Sequence, residues 1–223
     1  MNIVHECSVE LIDYMGDDLR VADAARVSFD KKSSLNADGT LQDRDAKLIN
    51  YLARHKHWTP FSHCMITLRE TVPIFVSRQR FKHMVGFTYN EVSRRYVDDE
   101  PSFFVPTEWR GRAENKKQGS NGFLDEEMEP VVSGDVKQLL FQSVEVYNFM
   151  LTVGTAPEQA RMVLPQNMMT SYYVTGSLAA WARAYNLRAA EDSQKEIQDL
   201  AAKWNEIIAP LFPVSWKALT EEK

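Results

Sequence analysis

The sequence predicts an α+β fold: a mixed helix/strand single domain, richer in helix than in strand. Three observations carry this. Apolar side chains recur at helical spacing over long stretches, at Val136, Leu139, Leu140, Val144, Tyr147 and Leu151, and again from Ile197 to Ile208. Stretches with the two-residue alternation of strands are short, as in "HECSVELIDYM", "CMITLRETV" and "NMMTSYYVTG". The 223 residues, 44% of them hydrophobic, suffice for one large domain or two small ones, and no linker, repeat or low-complexity tract divides them. Residues 1–223 are therefore read as one domain.

In chain order, "HECSVELIDYM" is the first strand. "DDLRVADAARVSF" has acids in its first turn and small apolar residues behind, which predicts a helix from Asp18 to Val27. "FDKKSSLNADGT" is a polar loop. Leu48, Ile49 and Leu52 form one stripe of a helix ending near "RHKHW". In "CMITLRETV", Ile66, Leu68 and Val72 alternate with Thr67, Arg69 and Thr71, a strand. Pro73 suits a first helical position, and "PIFVSRQRFKHM" carries a helix up to Gly86. "GFTYNEVSRRY" is read as an extended loop, and residues 107–122 as a polar, mobile surface insertion. A long helix follows from Asp135, stopped by Gly154. "TAPEQARMV" reads as a short helix capped by Thr155, "NMMTSYYVTG" as a strand, and Ser177 as the cap of "LAAWARAYNLR". Ile197, Leu200, Ala201, Trp204 and Ile208 mark a final amphipathic helix.

A formal net charge of -5 and a pI near 5.6 argue against a general nucleic-acid binder or a membrane-surface protein. No apolar run approaches the roughly 18 residues of a membrane span, and "MNIVHECSVELIDY" has no signal-peptide pattern. Cys7 and Cys64 make neither a disulfide framework nor a CxxC site, which points to the cytoplasm. His55, His57, His63 and Cys64 match no common zinc spacing, so no metal is expected.

Against that acidic background, "RQRFKHMVGFTYNEVSRRYVDDE" concentrates cations. From Arg78 to Arg95 there are five Lys/Arg and one histidine, with Glu91 as the single carboxylate. On the expected helix, Arg78 and Lys82 lie one turn apart, as do Gln79 and His83. Cations and amide donors followed by a loop with free backbone N–H groups suit a phosphate. Arg94 and Arg95 add charge beyond the loop. Glu91 needs donors from these arginines or from a nucleobase or sugar edge. Phe75, Phe81, Phe87 and Tyr89 interleave the cations, so the segment is partly buried and its charges need partners.

These residues resemble the signature of the flavin-dependent thymidylate synthases, "RQ..RHR....NE.S.RY". Arg78, Gln79, Lys82, His83, Asn90, Glu91, Ser93, Arg95 and Tyr96 match or nearly match it. "MGDDL…AARVSF", "RHKHWTPFSH", "ARMVLP" and "NLRAAEDSQKEI" look like further blocks of that family, in family order. The resemblance implies a homotetramer with active sites shared between subunits. It also implies reductive methylation of deoxyuridine monophosphate (dUMP) to dTMP, with methylenetetrahydrofolate as carbon donor, FAD as hydride carrier and NADPH as reductant.

By position, the resemblance makes Arg188 the catalytic residue, holding the uracil ring in an electron-rich form. Arg161 and Arg95, with Ser93, would bind the nucleotide through its phosphate, and Gln79 and Glu91 would complete the pocket. Arg80, Lys82 and Arg94 join that substrate set. Ser28, His57, Thr59, Lys82 and His83 would line the flavin, with Met84, Glu91, Ser177, Ala179 and Arg183 beside them.

The departures concentrate on the flavin side. Arg-His-Arg is Lys82-His83-Met84 here, and eight residues rather than seven precede Ser93. Arg80 precedes Met84 by four residues and Arg183 follows Ala179 by four. The expectation is that each guanidinium has moved one helical turn, about 5.4 Å, and still reaches the flavin. Lysine at 82 keeps charge but not bidentate geometry, which predicts weaker flavin retention. The alternatives are hydroxymethylation of the same nucleotide, or a non-catalytic nucleotide- or RNA-binding relative.

Overall fold

The computed structural model describes residues 1–97, 99–113 and 119–221. The chain opens with β1 (Asn2–Val4) and β2 (Ser8–Met15), followed by α1 (Asp18–Arg26) and α2 (Asp43–Arg54). Asp17 caps α1 by accepting from the Arg20 N–H at 2.8 Å. The alternating segment is β3 (Met65–Pro73), and it runs directly into α3 (Ile74–Arg80). β4 (Phe87–Glu91), β5 (Ser102–Phe104), β6 (Arg110–Arg112) and β7 (Ser120–Phe123) precede the long α4 (Glu129–Thr152). After α5 (Pro157–Ala160) and a tight turn at Arg161–Val163 come β8 (Met169–Ser177), α6 (Leu178–Arg188), α7 (Lys195–Leu211) and α8 (Pro213–Thr220).

β2, β3, β8 and β4, in that order, form an antiparallel sheet. One face buries Ile66, Leu68, Val72, Tyr172 and Val174 against Trp181 of α6 and Leu200, Trp204 and Ile208 of α7. The other face carries Thr67, Arg69, Thr71, Ser171, Tyr173 and Thr175, with Thr67 and Thr175 hydroxyls 2.9 Å apart across the strands. A smaller core joins Phe103, Val105 and Met168 to Leu140 and Val144 of α4. α8 is anchored from a distance: the Asp18 carboxylate accepts from the Val214 and Ser215 N–H groups, both at 2.8 Å.

Several expected boundaries move. α3 ends at Arg80, not before Gly86, because Phe81 turns its ring into the core against Tyr89 and Tyr172. Pro73 is the residue before that helix and the last of β3. The segment read as an extended loop is strand β4, whose Phe87 and Tyr89 pack against the core while Thr88 and Asn90 face out. α4 starts six residues before Asp135, at Glu129. Ala156, not Thr155, precedes α5, and no side chain caps it. The stretch read as an irregular insertion forms the β6–β7 hairpin at its ends, while residues 114–118 lie outside the described residues. The parallel pair β1–β5 and helix α8 were not foreseen.

Candidate active site

A cleft of about 990 Å³ opens where α3, the end of β4, the start of β8 and the turn after α5 meet. It is lined by Arg69, Arg78, Arg94 and Arg161, with Glu91 among them. β3 delivers Arg69 on the polar face of the sheet, where its Nε donates to the Ser171 hydroxyl at 3.1 Å. Glu91 is held by the Thr170 hydroxyl, which donates to Oε1 at 2.6 Å, so its second oxygen is left for another donor. Arg94 is tied to Asp99 at 3.2 Å, which offsets part of its charge. Arg161 is exposed, and its Nε only grazes the Glu158 carbonyl at 3.4 Å. The cleft can take an anion on its guanidinium groups and a hydrogen-bond donor on Glu91.

Arg188 stands elsewhere, at the C-terminal end of α6. Its Nε donates to Nε2 of His83 at 2.9 Å, and Nη2 approaches the Gln79 carbonyl at 3.5 Å. The Gln79 side chain meets Gln194. Burial first, then the charges of Arg188, Arg80 and Arg183, push the His83 imidazole down to about 4. It is therefore neutral near pH 7 and accepts at Nε2. Burial and the Arg80 charge lower Arg188 in turn. Arg183 reaches back to the Val85 carbonyl, so it joins this patch. Met84 and Val85 beside it are 68% and 74% exposed.

Four of the residues grouped by sequence thus share the cleft, Arg78, Glu91, Arg94 and Arg161. Gln79, His83, Arg183 and Arg188 gather in the second patch. Ser93 and Arg95 belong to the turn after β4; Arg95 bonds the Ser93 hydroxyl at 3.3 Å and covers the Tyr96 ring. Lys82 and Met84 are exposed in the turns after α3. Ser177 is buried and spends its hydroxyl on the Ala180 N–H at 3.2 Å, capping α6, with Ala179 packed against the core. Ser28, His57 and Thr59 are exposed on the segments flanking α1 and the Pro60–His63 turn. Arg80 corrects the expected one-turn shift: Met84 is not on α3, and the Arg80 guanidinium is fully buried on Glu70. Among the described residues of one protomer, the cleft that holds Arg161 is lined by neither Arg95 nor Arg188.

Arg69 was not assigned to the site from sequence, yet it lines the cleft. Arg69 reads as the outward half of an alternating strand, and only the pairing of β3 with β8 brings it beside the turn after α5. A second cleft, about 790 Å³, lies under the β6–β7 hairpin and holds none of the sequence-predicted residues. Its charges largely neutralise one another, as in Arg110–Glu196, Lys195–Asp199 and Lys203–Glu6. Among the described residues, no group of three His, Cys, Asp or Glu is arranged to hold a metal ion, and no helix is long and apolar enough to cross a membrane.

A sequence model described as thymidylate synthase complementing protein matches residues 10–214. A flavin-dependent thymidylate synthase of Thermus thermophilus is 37% identical over 214 residues, 96% of this chain and 75% of the relative. One of Thermosipho africanus is 34% identical over 94% of this chain and 89% of its own length. Among solved structures, the UMP/dUMP methylase PolB from Streptomyces cacaoi bound with 5-Br dUMP superposes with a TM-score of 0.85 at 30% identity. That match covers 99% of this chain and 97% of the other. The same methylase bound with 5-Br UMP gives 0.84 at 29% identity.

Proposed function

The chain belongs to the thymidylate synthase complementing protein family, the flavin-dependent thymidylate synthases, and on that footing we propose that it methylates dUMP to dTMP. The observation that carries the reading is the cleft in which Arg69, Arg78, Arg94 and Arg161 surround Glu91. A nucleoside monophosphate needs cations for its phosphate and an acceptor for a base or sugar donor, and this cleft offers both. Arg188 stabilises the negative charge that builds on the pyrimidine as C5 reacts, and a guanidinium suits this because it stays protonated. His83, neutral, holds Nε of Arg188, Nη2 rests near the Gln79 carbonyl, and Nη1 is left for the ring.

FAD is the cofactor of this family's reaction. The residues of the second patch fit it in kind: exposed Met84 and Val85 offer an apolar surface, and Lys82 and Arg183 supply cations beside it. When bound, the flavin supplies hydride to the transferred carbon, with methylenetetrahydrofolate as carbon donor and NADPH as reductant. The protein acts as a homotetramer. Two observations support this: the cleft and the Arg188 patch are separate in one protomer, and α4 exposes Leu139, Val146, Phe149 and Val153 along one side.

A second reading concerns the sugar. The methylase from Streptomyces cacaoi is bound with 5-Br dUMP in one structure and 5-Br UMP in another, so a ribonucleotide substrate is also tested. The purified protein is incubated with FAD, NADPH, methylenetetrahydrofolate and either dUMP or UMP, and the nucleotide mass is read. A methyl group gained on dUMP is the expected result. Methyl gained on UMP alone changes the substrate, and a product heavier by one further oxygen means hydroxymethylation. No product from either nucleotide, under conditions where the Thermus thermophilus relative turns over, overturns the proposal.

A further inference from the structure

Arg80 and Glu70 lie fully buried on the core face of the sheet. Nε of Arg80 stands 3.1 and 3.2 Å from the two carboxylate oxygens, and the Tyr172 hydroxyl donates to Oε2 at 2.5 Å. The guanidinium carbon is 4.5 Å from the ring centre of Phe87 and 4.8 Å from those of Trp181 and Trp204. Among the described residues Nη2 has no hydrogen-bond acceptor, and these rings supply its compensation. Apolar side chains of similar volume often stabilise such a site as well as a buried ion pair does. The pair therefore invites a role beyond filling space.

Proton counting gives that role a direction. Nη1 of Arg80 donates to the Tyr89 hydroxyl at 2.6 Å. Arginine cannot accept, so the Tyr89 proton must point onward. It meets the backbone carbonyl of His83 at 2.7 Å, with the Arg80 carbonyl farther off at 3.2 Å. Burial pushes the Tyr89 phenol up to about 12, so it keeps that proton. The His83 ring, carried by this anchored backbone, then accepts from Nε of Arg188 at 2.9 Å. Arg80 donates both to Glu70 and to Tyr89, and Tyr89 and Arg188 both donate to His83, so the five residues form one connected network from the core to the surface patch.

We infer that Arg80 and Tyr89 are positioning residues, which anchor the backbone of His83 so that its ring aims the Arg188 guanidinium. The catalytic part of this inference rests on the reading of Arg188 given above. The charged groups around His83 are Arg188, Arg80 and Arg183, all cations, and each opposes a protonated ring that could not accept from Arg188.

The test compares two hydroxyl deletions in the full chain, Tyr89→Phe and Tyr172→Phe. Both strip one hydroxyl from the same buried network, but only the first touches the link to His83. The ring nitrogens of His83 are followed by 15N NMR against pH. In Tyr89→Phe the ring loosens toward water, and its titration midpoint rises by about one unit or more. In Tyr172→Phe it stays where it is in the unsubstituted protein. Turnover of dUMP by Tyr89→Phe falls roughly tenfold to a hundredfold while nucleotide Kd stays within about threefold, as expected when a reacting group is misaimed. Should Tyr89→Phe not fold, Arg80→Lys takes its place, since an ammonium held on Glu70 cannot also reach Tyr89. An unmoved midpoint in Tyr89→Phe, or an equal rise in Tyr172→Phe, overturns the inference. An unsubstituted protein that methylates neither dUMP nor UMP overturns the methylation reading alone, because the NMR arm does not depend on turnover.

Discussion

His83 refuses a proton that the unfolded chain accepts, and that difference is measurable. Its ordinary value is 6.5 and burial with three neighbouring guanidinium groups brings it to about 4. Above pH 6.5 neither state is protonated and nothing is lost. Between 6.5 and 4 only the unfolded chain takes up the proton, so stability falls as pH falls, and below 4 the loss is complete. Urea midpoints measured across that window should decline, and His83→Gln should flatten the decline. The cleft gives a second residue-scale expectation. Arg161→Ala and Arg69→Ala each remove a charged donor, worth about 1.5–3 kcal/mol, so nucleotide Kd should rise roughly tenfold or more in titration calorimetry. Ser171→Ala, which removes a neutral acceptor shared by Arg69 and the Thr71 hydroxyl and leaves the guanidinium in place, should cost far less. The place of Arg161 in the cleft was legible because a local block, "ARMVLP", carried it. Arg69 was not, because its neighbours across β8 lie about a hundred positions away.

The elements divide along the same line between local and distant causes. α1, α2, β3, β8 and α6 fall where periodicity and caps put them, since Ser177, Asp17 and the alternation of Ile66 and Leu68 act within a few residues. β4 escaped because five residues of alternation, Phe87 and Tyr89 against Thr88 and Asn90, are too few to stand out beside a glycine and a run of cations. Its place is decided by β8. Gly176, paired with Phe87, has no room for a side chain: an added Cβ would sit 2.3 Å from Cδ1 of the Phe87 ring. Gly86 has a φ of 81°, and its own added Cβ would meet that of Ala180 at 2.9 Å. Gly176→Ala should therefore push Phe87 off the Arg80 guanidinium and destabilise the fold by about 1–3 kcal/mol, read as a lower urea midpoint. Serine in place of Gly134, which has open space around it in α4, is the matched control and should change little.

At the scale of the molecule, the described residues of one protomer hold the cleft, the Arg188 patch and an exposed apolar stripe on α4. α4 buries Leu140 and Val144 against the smaller core and Tyr147 on the same side, while Leu139, Val146 and the C-cap residue Val153 recur every seven residues on an exposed side, with Phe149 between them. Seven-residue spacing on a helix suits another helix rather than water. Under the proposed homotetramer, further copies of the chain cover this stripe and complete the site that one copy divides between Arg161 and Arg188. Sequence could supply the residues but not this division, because the matched motifs do not record which copy of the chain each residue serves. Phe149→Glu with Leu139→Lys should break the stripe while leaving the buried face of α4 untouched. Far-UV circular dichroism should then stay unchanged as sedimentation shifts from tetramer to smaller species. Turnover of dUMP should fall in the same concentration range where the assembly dissociates. A variant that still sediments as a tetramer would show that the α4 stripe is not the interface, and one that turns over normally as a monomer would show that one protomer already contains a working site.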